Sequence, residues 1–365
     1  MPDVAVDRLY TKRTLVVASH AIEQAALAAA EDGPLVVIAL FQRMPYFDRE
    51  RAVYERIAGL AAVTVVGVVA DQPPELPARA HPVLLDDKEE LAREWTVVVL
   101  TPRFGALLVA HDQEQIDGTA GTIESGRLFS GRVDHRRDAA LHEVLRLRTQ
   151  LADRLPAGAV SALDAVVARV RELPATPGEA RTDALLRALL AQSARDNDRL
   201  NARRLQARTA RPGAGDDPLT SPQETQRWSG GSGVTAPGVL AVALLAVRIG
   251  NPTGTAGTVG RTAARHDETV INLLVSRLRP ADRASRVGQG EFLLYLPALT
   301  YDEAVAFAYR IGADFAEASQ RNAFLSAAVH VALTVTRHRP LPVDKVREAL
   351  QWAVTEGVPV ATIDG

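Results

Sequence analysis

The segment Arg279–Phe292, RPADRASRVGQGEF, and the apolar run Leu293–Leu296 behind it decide how the C-terminal half of the chain folds. Gly288 and Gly290 flank Gln289, and glycine readily adopts the positive φ angles that a tight hairpin turn needs. The segment therefore predicts a short strand, a turn and a second strand. Arg279 and Asp282 lie just before this hairpin, at the end of a predicted helix.

The composition predicts about two domains. The chain has 365 residues, of which 47% are hydrophobic, and its 42 basic and 44 acidic residues leave a net charge of −2. This balance excludes the overall basic field that is typical of nucleic-acid binding. The absence of cysteine excludes disulfides and thiolate metal sites. We found neither a signal-peptide pattern nor an apolar run near the roughly 20 residues of a membrane helix, and we expect a cytoplasmic protein without membrane contact.

Apolar runs of strand length alternate with helical patterns in the N-terminal half. The runs cover residues 35–41, 63–69, 95–100 and 106–110, and the last two are joined by a Pro- and Gly-containing turn. This order predicts an α/β domain. Helical patterns follow over 135–155, 161–173 and 181–207. The last of these carries six leucines on an otherwise polar surface and is interpreted as a short stalk that can support a homodimer; they are Leu185, Leu186, Leu189, Leu190, Leu200 and Leu205.

Three short motifs in this half, Ser19–Glu23, Phe41–Arg43 and Arg93–Trp95, resemble the DICT sensory domain. The resemblance covers about the first third of the chain and implies a sensory domain over 8–155. It makes a set of residues candidates for the lining of a sensory pocket: Phe41, Gln42, Arg93, Glu94 and Trp95. Ordinary packing at the end of a sheet is the alternative for each, with Trp95 as a core anchor.

The turn Gly288–Phe292 resembles the signature hairpin of the GGDEF family, the diguanylate cyclases, and Asp217–Thr220 resembles the start of the family's entry motif. The resemblance implies a ferredoxin-related, palm-like fold over 216–365, behind a helical connector over 156–215. The predicted class of the whole chain is thus α/β, in the broader sense α+β.

The positions that the family uses for catalysis are degenerate. Arg248 stands where the resemblance places a metal-binding Asp, Gln289 replaces a glycine, and Gly290 replaces an acidic residue, so that Glu291 alone remains. Asn251–Gly257 lacks the lysine and asparagine of the family's substrate-binding run. Since Mg²⁺ prefers carboxylate oxygens and phosphoryl transfer depends on it, we expect no cyclase activity, no bound metal and no cofactor. An active cyclase of unusual mechanism is the alternative.

The sequence retains a second feature of the GGDEF family. Arg279 and Asp282 match the RxxD product-binding site, and Arg310 matches the arginine that the family adds from the next helix. Guanidinium groups suit phosphate oxygens and the guanine edge, and a carboxylate suits guanine N–H donors. The resemblance therefore implies an effector that binds cyclic di-GMP and acts on another signalling protein. The alternatives are a surface ion pair and a scaffold that docks partners independently of nucleotide.

Overall fold

A computed structural model describes residues 8–70, 72, 74–209, 219–229, 240–250, 261–321 and 328–365. The chain divides into two compact units, one with residues 1–113 and 127–200, the other with 114–126 and 201–365. Several sequence predictions lie outside the described residues: the first half of the entry motif, the segment 251–257 and the proposed boundary near 216. In the described part of the chain, each helix is too short or too polar to cross a membrane.

The first unit contains a seven-stranded sheet in the order β1-β7-β6-β5-β2-β3-β4. β2, β3 and β4 are parallel, whereas β5 is antiparallel to both β2 and β6. The strands are β1 (Arg8–Thr11), β2 (Val36–Phe41), β3 (Val63–Val69), β4 (Ala80–Leu85), β5 (Glu94–Leu100), β6 (Gly105–Ile116) and β7 (Arg127–Asp134). The described helices over this stretch of the chain are α1 (Lys12–Ala29), α2 (Met44–Leu60), α3 (Ile123–Gly126), α4 (Arg137–Leu151), α5 (Ala157–Glu172) and α6 (Glu179–Thr209). Of these, α3 belongs to the second unit, and the end of α6 beyond residue 200 does as well.

Both faces of this sheet are covered, which explains why its strands read as continuous apolar runs. Along β2, Val36, Ile38 and Leu40 pack into one core with α4 and α5. Val37, Ala39 and Phe41 point the other way, into a core with α1 and α2, as the period of two along a strand requires. α5, predicted as part of a connector, thus contributes buried side chains to the core of the first unit.

The second unit contains a five-stranded sheet in the order β12-β11-β8-β10-β9, antiparallel except for the β11–β12 pair. The described elements are α7 (Pro222–Trp228), β8 (Val242–Ile249), α8 (Arg261–Ser276), β9 (Arg283–Gly288), β10 (Glu291–Pro297), α9 (Tyr301–Arg321), β11 (Val329–Thr336), α10 (Val343–Glu356) and β12 (Val360–Thr362). α8 and α9 cover one face of this sheet, and α10 with Trp228 covers the other. The mixed sheets and helices of both units confirm the predicted α/β (α+β) class.

Candidate functional site

Arg279 and Asp282 form a compact turn between α8 and β9. The backbone N–H of Asp282 donates to the carbonyl of Arg279 over 2.9 Å, and the N–H of Arg279 donates to Asp282 Oδ2 over 2.8 Å. The guanidinium of Arg279 donates to both carboxylate oxygens at 2.9–3.2 Å, and its Nη2 also donates to the carbonyl of Pro297 over 2.7 Å. The turn therefore holds the arginine in one orientation.

The two side chains of this pair differ in exposure. The side chain of Asp282 is 1% exposed and that of Arg279 is 45% exposed. Both carboxylate oxygens of Asp282 accept hydrogen bonds from the guanidinium of Arg279. In this geometry Asp282 orients Arg279, and its carboxylate does not face the solvent, where a guanine could donate to it. The sequence analysis assigned Asp282 a direct contact with the ligand, which stays a prediction; the structure shows that its carboxylate faces Arg279.

A surface cleft of about 430 Å³ brings Arg279, Asp282 and Arg310 together, and Leu299, Phe307 and Ile311 add apolar surface to it. Its volume lies within the usual range for small-molecule sites, about 300–1,000 Å³. In the described part of the chain, no hydrogen bond or ion pair engages the exposed guanidinium of Arg310.

The acidic groups of the same cleft already accept hydrogen bonds from neighbouring residues. Asp314 accepts from Arg277 Nη2 over 2.7 Å. Glu303 accepts from the backbone N–H and the hydroxyl of Thr300, both at 2.8 Å, and these bonds hold the pKa of Glu303 below its ordinary value. The cleft therefore offers an anion the guanidinium groups of Arg279 and Arg310, and that of Arg277, whose side chain is 51% exposed, lies beside them.

The hairpin after this cleft depends on Gly290. Its φ of 65° lies in the left-handed region, and a Cβ at this position would stand 2.6 Å from the carbonyl oxygen of Ile249. The strand register shifts between Glu291 and Phe292, as expected for a turn that ends in a left-handed residue. Gly288, the other glycine of the turn, is outside this φ region, so only one of the two glycines meets the requirement that the sequence predicted.

Glu291 lies between two arginines. Arg248 stands opposite it in the β8–β10 pair and donates from Nη2 to Oε2 over 2.7 Å. Arg347 on α10 donates from Nε to Oε1 over 2.8 Å. Burial acts to raise the pKa of Glu291, but the hydrogen bonds from Arg347 and Arg248 outweigh it and hold the pKa below its ordinary value. Since both oxygens face cations, these residues do not fit a magnesium ion.

Three of the candidates in the first unit share a cleft. Phe41, Gln42 and Trp95 line a small depression of about 80 Å³ between α1, α2 and the sheet. Arg93 is exposed and meets Gln42 through its backbone carbonyl, which accepts from Gln42 Nε2 over 3.0 Å. Glu94 is buried and lines a different cleft, where its carboxylate accepts from Arg146 Nη2 over 2.5 Å. The structure thus divides the five candidates between two places.

The sequence analysis did not predict a buried cluster of polar and charged side chains around Arg127, next to the cleft that Phe41, Gln42 and Trp95 line. Arg127 is fully buried and donates from Nη2 to Asp112 and to Gln42 Oε1, and from Nη1 to the hydroxyl of Tyr46. Gln42 and Tyr46 both line the cleft. The partners of Arg127 are 15 to 85 residues away in the sequence, and no local spacing relates them.

Comparisons with known proteins support the N-terminal assignment. Residues 4–113 match the family model DICT, described as a sensory domain in diguanylate cyclases and two-component systems, so this part of the chain carries a DICT domain. The curated proteins contain no match to the chain.

Several solved structures are similar to the chain at low identity. The coiled coil and GGDEF domain of DgcB from Caulobacter crescentus in complex with c-di-GMP is 18% identical, with 49% of this chain and 99% of that chain covered and a TM-score of 0.32. The diguanylate cyclase SiaD in complex with its activator SiaC, from Pseudomonas aeruginosa, is 19% identical, with 63% and 88% covered and a TM-score of 0.31. A microbial GGDEF domain with cyclic di-GMP is 16% identical, with 34% and 78% covered and a TM-score of 0.27.

Proposed function

We propose that the chain is a signalling protein whose second unit is a GGDEF-family domain without cyclase activity, and that this unit binds cyclic di-GMP in the Arg279–Arg310 cleft. One observation supports the proposal: Arg279 and Asp282 in the turn and Arg310 on α9 line the same cleft. The ligand offers two phosphates and two guanine edges, and each suits a guanidinium group.

The roles within the cleft follow from exposure and contacts. Asp282 and the Pro297 carbonyl fix Arg279 through four hydrogen bonds from its guanidinium, so little side-chain entropy remains to be lost when a ligand binds. Arg310 supplies a second cation on the other wall. Phe307 and Leu299 give the bases an apolar surface.

The proposed loss of cyclase activity is supported by the contacts of Glu291. A metal ion would have to displace two guanidinium groups, those of Arg248 and Arg347, before it could reach the carboxylate. GTP and Mg²⁺ with the purified chain are expected to form no cyclic di-GMP at high protein concentration. Product that accumulates in proportion to protein, and disappears in Glu291→Gln, would establish the opposite.

Isothermal titration of the full chain with cyclic di-GMP tests the binding proposal. A charge-assisted hydrogen bond contributes about 1.5–3 kcal/mol, so Arg279→Ala and Arg310→Ala are each expected to weaken binding about 10- to 100-fold. Arg321→Ala is the matched control, because Arg321 lies on the same helix with 78% of its side chain exposed. Its affinity should equal that of the unchanged protein.

The titration and a partner-capture experiment together distinguish the effector from the alternatives. Absence of binding at tens of micromolar, or equal weakening by Arg321→Ala, would refute the effector proposal. Capture of a partner protein that is indifferent to cyclic di-GMP would then favour the nucleotide-independent scaffold. The homodimer stays a prediction. It is supported by three exposed leucines on α6, Leu185, Leu189 and Leu200, which a second copy of the helix could cover.

A further inference from the structure

A histidine and two glutamates lie close together in the unit that contains the DICT domain. His20 and Glu23 lie on α1, and Glu50 lies on α2. One potential ligand atom from each of the three side chains lies within 4.8 Å of those of the other two. His20 and Glu23 share a helix face because they are three residues apart. Glu50 lies near them because α2 packs against α1.

Glu23 is the unusual member of this cluster. The residue is 1% exposed, and its Oε1 accepts from Ser19 Oγ over 3.1 Å and from the hydroxyl of Tyr54 over 3.3 Å. Within the described part of the chain, both hydrogen bonds to this carboxylate go to Oε1, which leaves Oε2 without a donor. A largely buried carboxylate next to a second carboxylate is stabilised when a cation or a proton neutralises it.

The other two side chains are accessible. His20 Nε2 lies 3.0 Å from Glu50 Oε1, and the side chains are 49% and 24% exposed. Both line the cleft that also contains Trp95. An ion could therefore reach the cluster from solvent and exchange the contact between His20 and Glu50 for two metal–ligand bonds.

We propose that His20, Glu23 and Glu50 bind a divalent transition metal, with zinc as the best match to one imidazole and two carboxylates. Three protein ligands with an open fourth position are the arrangement of zinc sites that bind a further small ligand. The Ser19 and Tyr54 hydroxyls hold the Glu23 carboxylate, as outer partners of metal ligands do. This site is independent of the proposed cyclic di-GMP cleft.

Titration of the chelator-stripped full chain with Zn²⁺, against a competing chelator, tests the site. We expect one equivalent to bind, and His20→Ala and Glu50→Gln each to weaken binding at least about tenfold. Tyr54→Phe removes only an outer hydrogen bond and should weaken binding about 10- to 100-fold. Glu55→Gln, an exposed glutamate on the same helix, is the matched control and should bind zinc as the unchanged protein does.

Co²⁺ provides a second readout that is independent of affinity. The unchanged protein should give the visible absorption of Co²⁺ with nitrogen and oxygen ligands, and His20→Ala should change that spectrum by removing the nitrogen. Because His20 is on the surface, this variant should keep the fold. Zinc binding that is undiminished in both His20→Ala and Glu50→Gln, or a cobalt spectrum that is the same with and without His20, would overturn the proposal.

Discussion

The substitution Arg127→Met should destabilise the first unit strongly. The side chains of Arg127 and Asp112 are 0% and 2% exposed, and methionine fills much of the same space without a charge. Removal of one partner of a buried ion pair costs about 3–5 kcal/mol, because the other charge stays buried. In a unit of this size each kcal/mol lowers the melting temperature by about 2–4 °C, so the expected decrease is roughly 6–20 °C.

Two further variants make this prediction specific. Arg148 pairs with Asp164 through two hydrogen bonds of 2.7 Å, but these side chains are 34% and 45% exposed. Arg148→Met should therefore lower the melting temperature far less than Arg127→Met, because ion pairs on the surface contribute little to stability. The double variant Arg127→Met/Asp112→Leu should recover most of the lost stability, because it also removes the carboxylate that the single substitution leaves buried opposite position 127.

Differential scanning calorimetry of the full-length variants measures these effects. A decrease for Arg127→Met that is no larger than the decrease for Arg148→Met would refute the argument from burial. A double variant as unstable as Arg127→Met alone would show that lost packing, and not the unpaired charge, sets the cost. Gln42 and Tyr46 also lose their donor in Arg127→Met, so the shape of the neighbouring cleft should change with stability.

Two other predictions concern the hairpin. Gly290→Ala should cost about 1–3 kcal/mol in urea unfolding, since alanine is strained at this φ and its Cβ meets the Ile249 carbonyl, whereas Gly288→Ala meets only ordinary contacts and should cost less. Equal costs would contradict this. The lowered pKa of Glu291 adds stability above its ordinary value of 4.5, and that stability is lost as the pH falls through the folded-state pKa. Glu291→Gln should remove this acid-side decrease, and an unchanged pH profile of stability would count against it.

The hairpin and the strands could be predicted because their signals are local. Turn glycines and apolar runs encode β5, β6, β9 and β10. β5 (Glu94–Leu100) is within one residue of its predicted run, whereas β6 (Gly105–Ile116) extends six residues beyond the end of its predicted run. β4 and the short β1 and β12 were missed. β4 includes Pro82 and is partly exposed, and only its parallel pairing with β3 identifies it as a strand.

The sequence analysis named three residues of the candidate cleft, but it did not show which of them orients another. The family resemblance grouped Arg279, Asp282 and Arg310, and in the structure these three residues line one cleft. The number of residues between them could not show that the carboxylate of Asp282 faces the arginine beside it and is buried. That orientation follows from the turn and from the Pro297 carbonyl, which lies 18 residues further along the chain.

The sequence by itself determined the class of fold, most of the helices and strands, and the position of the hairpin turn before Glu291. The tertiary structure decided which charges meet. Arg347 reaches Glu291 across 56 residues, and Glu50 reaches His20 across 30. The physical reason is that periodicity reports which face of an element is buried, whereas contacts between charges depend on how two elements pack, and no local pattern encodes that.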